Sequence, residues 1–324
     1  MKQYKAQLTL LSPLGTPLAA DTLFGHICWS KAYGEGDEKL GEFLSRMDSD
    51  KPPLLLSDPF PAGRLPVPIL PTYRATEQTT NVSVDEKGLR KIRYIDSDRL
   101  ANCLQDLNGK SLMESLRCQQ QQESDLSDDD PRKREMKISL SPHNFVSRLG
   151  GGTVQGGVFF TEDIFTAQYG SLYDLYIASD EYNAGDLKGI LEEALAWGYG
   201  RDKSIGRGAI KVERVEPVSL PDVKHPNAVM LLGPCAPAQS DPVKGFWSIK
   251  AKTGRLGGHW AISEFPFKKT IMMLQAGSVL LTDIPRPFYG RMIHDVHDTL
   301  KQVVHYGLSL ALPIRLSRDS VEAA

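Results

Sequence analysis

Hydrophobic and polar positions alternate at the start of the chain: Tyr4 to Leu11 reads as a half-alternating strand, and Ser12 to Pro17 predicts a turn. Asp21 and Thr22 suit a helix start. Leu23, Phe24, Ile27, Cys28, Trp29 and Ala32 then form a broad apolar face, which predicts a helix over Thr22 to Tyr33 that stops at Gly34 and Gly36. Pro52, Pro53, Pro59, Pro61, Pro66, Pro68 and Pro71 exclude a long helix from the next stretch and predict extended, edge-strand or loop backbone in a structured connector. From about Arg74 to Arg148 polar and charged residues dominate, and only Leu100 to Leu116 has weak helical spacing, so this segment reads as an insertion. Within it Gln119 to Gln122 and Ser124 to Asp130 carry too little apolar surface to order themselves, which predicts a mobile loop.

The apolar pattern resumes after a glycine-rich run, Arg148 to Gly157. Val158 to Thr161 and Leu172 to Ala178 are expected to form a strand pair. Leu187, Ile190, Leu191, Ala194 and Leu195 predict a helix over Asp186 to Trp197 that ends at Gly198, and Ala209 to Val215 alternates as a strand. Strand, helix, two strands, helix, strand is the order of a ferredoxin-like, RRM-like unit, in which two helices cover one face of a four-stranded antiparallel sheet. Past Pro217, Pro221 and Pro226 the pattern restarts with Ala228 to Leu232, Phe246 to Lys252 and Thr270 to Leu281, and closes on the amphipathic run Met292 to Val304. A second, shorter domain fits, and no fixed-period repeat is visible. The expected division is residues 1–217, with the insertion at about 74–148, and residues 218–324.

A length of 324 residues accommodates about two domains, and 41% hydrophobic with 24% charged residues is ordinary for a globular chain and excludes a disordered one. No apolar run reaches membrane-spanning length, and the N-terminus lacks the apolar core of a secretory signal, so a cytoplasmic protein is expected. Cys28, Cys103, Cys118 and Cys235 are scattered without a C-x-x-C pair, which favours reduced, structural thiols. The net charge of −2 gives no overall field for a polyanion, so nucleic-acid binding would depend on local basic stripes. The insertion supplies two, Lys87, Arg90, Lys91 and Arg93, and then Arg132, Lys133, Arg134 and Lys137.

The strongest local signal is the run Gly198 to Gly208, in which four glycines alternate with Arg201, Lys203, Ser204 and Arg207. It follows a helix and precedes a strand, the reverse of a dinucleotide-binding loop, and Asp202 before Lys203 and Ser204 departs from a Walker A ending. Glycines that admit close approach, with cations beside them, suit an RNA backbone; the competing reading is a helix-to-strand turn with solvated charges. A second cluster, His143, Asn144, Arg148 and Gly150 to Gly152, could donate to phosphates or unstacked bases, or be a hairpin turn. Lys91 and Arg93 flank Tyr94, which could stack on a base or pack on the sheet. His294 and His297 would share a helix face with Asp295 or Asp298 nearby, but no third ligand is placed and a solvated or partner-facing surface is favoured. His26 reads as a packed histidine or an RNA contact. No nucleophile motif, zincin motif or spaced carboxylate pair is present, and no cofactor or metal is expected.

Thr16 to Trp29, Lys91 to Ile95, Asn144 to Gly157, Gly198 to Gly208, Gly277 to Val279 and Tyr306 to Pro313, in that order, give the chain a resemblance that covers nearly its whole length. It resembles the RAMP subunits that bind the crRNA 5′ handle in type III-A (Csm) CRISPR effector complexes, the fourth subunit of those antiviral ribonucleoproteins. The resemblance implies an α+β fold of two ferredoxin-like (RRM-like) domains, the second degenerate, with an inserted thumb and a glycine-rich loop after the second helix. It also implies a non-catalytic role. The partners would be the crRNA 5′ handle, the large polymerase-like signalling subunit, the repeated backbone RAMP subunit toward which the thumb reaches and, indirectly, target RNA. Handle binding would fall on Lys203, Ser204, Gly206, Arg207 and Gly208 with Arg201, and also on His26, Asn144, Arg148, Lys91 and Arg93. Alternatives from the same resemblance are the equivalent subunit of a type III-B or III-D complex and a RAMP endoribonuclease that processes precursor crRNA with His26 as general base. A purely architectural subunit is a third class.

Overall fold

In a computed structural model, which describes residues 1–71, 86–89, 91–125, 136–166 and 172–324, the first half of the chain contains β1 (Lys2–Leu10), α1 (Ala20–Glu35), α2 (Asp37–Met47), β2 (Leu55–Leu56), β3 (Phe60–Pro61) and β4 (Arg64–Pro66). It continues through α3 (Glu86–Leu89), β5 (Tyr94–Asp96), α4 (Ser97–Cys103), α5 (Gly109–Ser124) and the strands β6 (Met136–Val146) and β7 (Thr153–Thr166). Then come β8 (Leu172–Ser179), α6 (Ala184–Leu195) and β9 (Ile210–Pro217). The remainder is β10 (Ala228–Leu231), β11 (Gly245–Phe246), β12 (Ile249–Lys252), β13 (Ile271–Leu274), β14 (Val279–Leu281), β15 (Phe288–Gly290), β16 (Leu308–Ile314) and α7 (Arg318–Glu322).

The first sheet has the order β2-β8-β1-β9, with β3 also on β8, and all its pairings are antiparallel. Alternation along β1 buries Tyr4, Ala6, Leu8 and Leu10, which share one core with Leu23, Phe24 and Ile27 of α1 and Leu187 and Leu191 of α6. This is the expected ferredoxin-like order with a different second strand. Val158 to Thr161 does not pair with β8; it lies in β7 and pairs with β6 in a long hairpin. The second strand is instead supplied by β2 and β3 from the proline-rich connector, whose place at the rim of the sheet tolerates Pro52, Pro53, Pro59 and Pro61. β6 pairs with β7 from Met136–Thr166 to Val146–Thr153, so the ladder hydrogen bonds of β7 are taken up by β6 and not by β8.

Other departures have local causes. Gly36, at φ +93, ends α1, and α2 follows at once with Phe43 and Met47 buried, an element the sequence reading did not single out. Gln119 to Gln122 is helical, contrary to the expected loop: a capping box between Asn108 and Ser111 starts α5, and Leu112, Leu116 and Gln119 are buried along it. The Gln119 Oε1 accepts from the Asp96 N–H (2.9 Å) and its Nε2 donates to the Tyr94 carbonyl (3.2 Å), so a polar side chain finishes the end of β5. Residues 126–130 of the expected loop lie outside the described residues.

The second sheet has the order β11-β14-β10-β16-β15. Its helices among the described residues are the short α7 and a 3-10 turn at Gly258–Ile262. The run Met292 to Val304 is irregular, not helical. His297 is buried there, its Nδ1 accepting from the Leu300 N–H at 3.1 Å, while His294 meets Asp48 at 3.0 Å, so the two histidines do not share a helix face. The two sheets meet where the Leu56 N–H donates to the Tyr306 hydroxyl (2.9 Å) and the Asp58 N–H to the Leu232 carbonyl (2.8 Å). Beside this seam Asp21 is buried with Lys252 Nζ at 2.5 Å and His305 Nε2 at 3.1 Å. Burial alone would raise the Asp21 carboxyl, but these two partners hold it below the usual carboxylate range. No helix among the described residues is long and apolar enough to cross a membrane.

Candidate nucleic-acid interface

The glycine-rich loop leaves the end of α6, makes a 3-10 turn at Lys203–Ile205 and enters β9. Tyr199 anchors it from beneath: its ring is buried, its hydroxyl donates to the Pro17 carbonyl (2.9 Å) and accepts from the Ala19 N–H (2.9 Å). Ala19 offers no side-chain cap, so this hydroxyl and the Asp58 carboxylate, which accepts from the Ala20 N–H at 2.8 Å, cap α1 from outside. Burial pushes the Asp58 carboxyl up to about 7. The Tyr199 N–H donates to the Gly208 carbonyl and the Gly208 N–H to the Pro13 carbonyl, each at 2.8 Å. Gly208 sits at φ +71 with the Tyr199 carbonyl oxygen 2.0 Å from where a Cβ would lie, so no other residue fits.

His26 belongs to this support. Its Nε2 accepts from the Gly200 N–H at 3.0 Å and its ring stacks on Tyr199 with centroids 5.3 Å apart. Burial, assisted by the Lys203 charge, lowers its pKa to about 4. A neutral imidazole whose Nε2 already accepts an amide is a positioning group for the loop.

Arg207 has different company from the expected phosphates. Its side chain is almost enclosed, the residue being 8% exposed, and its guanidinium donates to Asp163 Oδ2 (2.8 Å), Asp202 Oδ2 (2.8 Å), Thr161 Oγ1 (3.2 Å) and His143 Nε2 (3.1 Å). Asp163, Thr161 and His143 share one face of the β6–β7 ribbon, so Arg207 ties the loop to the hairpin. The opposite face of the ribbon exposes the apolar Ile138, Leu140, Val158 and Phe160, while at its base Ile164 is buried and bridged to Leu14. Gly208 is likewise buried. The exposed residues of the loop are Arg201, Lys203, Ser204, Ile205 and Gly206. Arg201 Nη2 donates to the Glu162 carbonyl (3.0 Å) and its Nε faces Asp202 at 3.3 Å. Lys203 has no ion-pair partner among the described residues.

The remaining expected residues are spread over other elements. Asn144 bonds Thr153 Oγ1 across the hairpin (3.0 Å), and Arg148 is exposed at the hairpin tip. Lys91 and Arg93 are exposed just before β5, where the Arg93 carbonyl accepts from the Val67 N–H, and no hydrogen bond or ion pair among the described residues joins them to the loop. Tyr94 packs near Phe60 with centroids 6.1 Å apart, the packing alternative for that residue. Arg90 and Arg132 to Arg134 lie outside the described residues, as do the side chains of Lys87 and Lys137. Sequence reasoning missed Asp163 and Thr161. Their alternation with His143's ribbon partner Phe159 was legible, but the face they share is visible only once β7 pairs with β6.

The chain has a RAMP-type α+β fold. Its backbone superposes on a chain of the crystal structure of a Csm1–Csm4 cassette in complex with AMPPNP, with a TM-score of 0.56 and 18% identity over 97% of this chain and 99% of that chain. The cassette in complex with cA4 gives a TM-score of 0.55 and 17% identity over 97% and 99%. A Csm3–Csm4 subcomplex of the type III-A CRISPR-Cas interference complex gives 0.54 and 15% over 96% and 99%. Csm4 is the component these assemblies have in common, and the fold is Csm4-like. No protein-family model and no curated protein matches the chain.

Proposed function

We propose that the chain is a non-catalytic RNA-binding subunit of a type III CRISPR effector complex, which caps the crRNA by holding its 5′ handle and joins a large signalling subunit to a repeated backbone subunit. The observation that carries this reading is the glycine loop. In a Csm4-like fold it is braced from beneath by Tyr199, His26 and Arg207 and turns Arg201, Lys203 and Ser204 outward. A braced loop loses little entropy on binding, and its exposed cations release counterions from the RNA. Phosphates would lie over Lys203, Arg201 and the Ser204 hydroxyl, and bases splayed from the strand would be read by stacking and edge contacts. The comparison structures hold Csm1 in one case and Csm3 in the other, which supports the two protein partners. The open apolar face of the hairpin is the surface offered to the backbone subunit.

The engagement of His26 supports the non-catalytic part of the proposal. A general base needs a free nitrogen within reach of substrate, and its Nε2 already accepts from the Gly200 N–H. The test is co-expression with a CRISPR array and type III subunits, purification through this chain, and sequencing of the bound RNA. Guides with a common repeat-derived 5′ end are expected; complexes with partners but no such end would contradict handle binding. Repeat RNA cut by the chain alone in EDTA, and left intact by His26→Ala, would establish the endoribonuclease instead.

A further inference from the structure

Trp197 is the most exposed of the four tryptophans at 83%, whereas Trp29 and Trp260 pack edge to face 5.2 Å apart. It sits on the turn between α6 and the glycine loop, makes no hydrogen bond or ring contact among the described residues, and borders a groove of about 570 Å³. That volume falls within the roughly 300–1,000 Å³ typical of small-ligand sites. Apolar side chains form much of the groove, Leu11, Leu195 and Val212 among them, and Lys203 and Gly206 of the loop close one side. The charged groups are unequal. Glu192 is paired with Lys188 at 3.6 Å, Lys211 with Glu213 at 2.7 Å and Arg207 with Asp163 and Asp202, which leaves Lys203 as the groove's cation without an ion-pair partner among the described residues.

An open indole, an apolar wall and a free ammonium match the two halves of a nucleotide. We propose that Trp197 is a stacking platform for a base of single-stranded RNA whose adjoining phosphate lies against Lys203. The proposal rests on the RNA-binding function above and adds a residue and a direction to it: the strand runs from the loop into the groove beside β9. Stacking is tolerant of sequence, so this contact adds affinity without selecting a base.

The test is binding of a fluorescein-labelled, ten-nucleotide, mixed-sequence single-stranded oligoribonucleotide to the full chain at several salt concentrations. Trp197→Ala is expected to weaken binding about tenfold or more with an unchanged salt slope. Trp197→Phe, which keeps a π-face, should retain most of the affinity. Lys203→Ala should lower the salt slope by about 0.7, the effect of one phosphate contact on a single strand. Because Trp197 is open to solvent, both of its variants should melt with the wild type. Wild-type affinity in Trp197→Ala, or an equal loss in the Phe and Ala variants, would overturn the stacking assignment alone. A wild-type chain without affinity for the oligoribonucleotide would overturn the RNA-binding function with it. Trp197→Ala that keeps RNA affinity but no longer co-purifies with a protein subunit would assign the indole to a protein contact.

Discussion

Arg207 shows how one side chain can carry charge toward RNA in a sequence and toward carboxylates in the fold. Removing the guanidinium leaves the buried Asp163 without its counter-ion and Asp202 with Arg201 alone, and loss of one partner of a buried pair costs about 3–5 kcal/mol. Arg207→Ala should therefore lower stability by about that amount in urea denaturation, and Arg207→Lys should recover only part, because an ammonium cannot reproduce the forked geometry. Asp163→Asn separates the two roles by sign. If Arg207 held a phosphate, freeing it from a carboxylate would tighten RNA binding; as a tie to the hairpin, the variant loses stability and gains no affinity. His26 gives a pH dependence. Its folded-state pKa of about 4 lies below the ordinary value of 6.5, so the unfolded chain binds more protons between those limits, and stability falls as pH drops through that window by at most about 1.4 kcal/mol per pH unit. Asp58, raised to about 7, works in the opposite direction over much of the same range. The difference between wild type and His26→Gln isolates the histidine: the glutamine Oε1 can still accept from Gly200, and the wild type's advantage in Tm should shrink from pH 7 to pH 5. Parallel profiles would contradict the buried neutral imidazole.

The glycine loop behaves as a braced element, and its glycines differ in consequence. Gly208 has backbone where a methyl group would go, whereas Gly206, at φ +90, faces open space. Gly208→Ala should cost more than about 2 kcal/mol and Gly206→Ala about 1 kcal/mol, the strain of the left-handed backbone alone; equal losses in chemical denaturation would contradict the bracing. Much of this element was legible in the sequence, because a helix with Leu187, Leu191 and Ala194 on one face, a glycine run and an alternating strand are local signals. What failed was non-local. β16 is buried on both faces and shows no alternation, β2 and β3 are only two residues long, and the partner of β7 depends on a pairing that periodicity does not encode. Gln119 misled for a related reason. Composition marked the glutamine run as solvated, but one of its amides closes backbone hydrogen bonds at β5. In the candidate site, the exposed Lys203, Ser204 and Gly206 stand where the sequence put them, in an open loop, while Arg207 and Gly208 face inward, a distinction that needs the hairpin.

Across the whole molecule, a net charge of −2 means that the proposed RNA binding would depend on a local surface. The loop rim, the groove beside β9 and the exposed apolar residues of the ribbon provide three kinds of surface, cationic, aromatic and hydrophobic. Arg207 links the first of them to the hairpin through a buried ion pair. In the proposed function the loop grips the guide's 5′ handle inside an assembled type III complex. Photo-crosslinking of 4-thiouridine-substituted crRNA in that complex, with the crosslinked peptide of this chain identified by mass spectrometry, should place handle nucleotides on Arg201 to Gly206. Handle crosslinks confined to other subunits would contradict the claim.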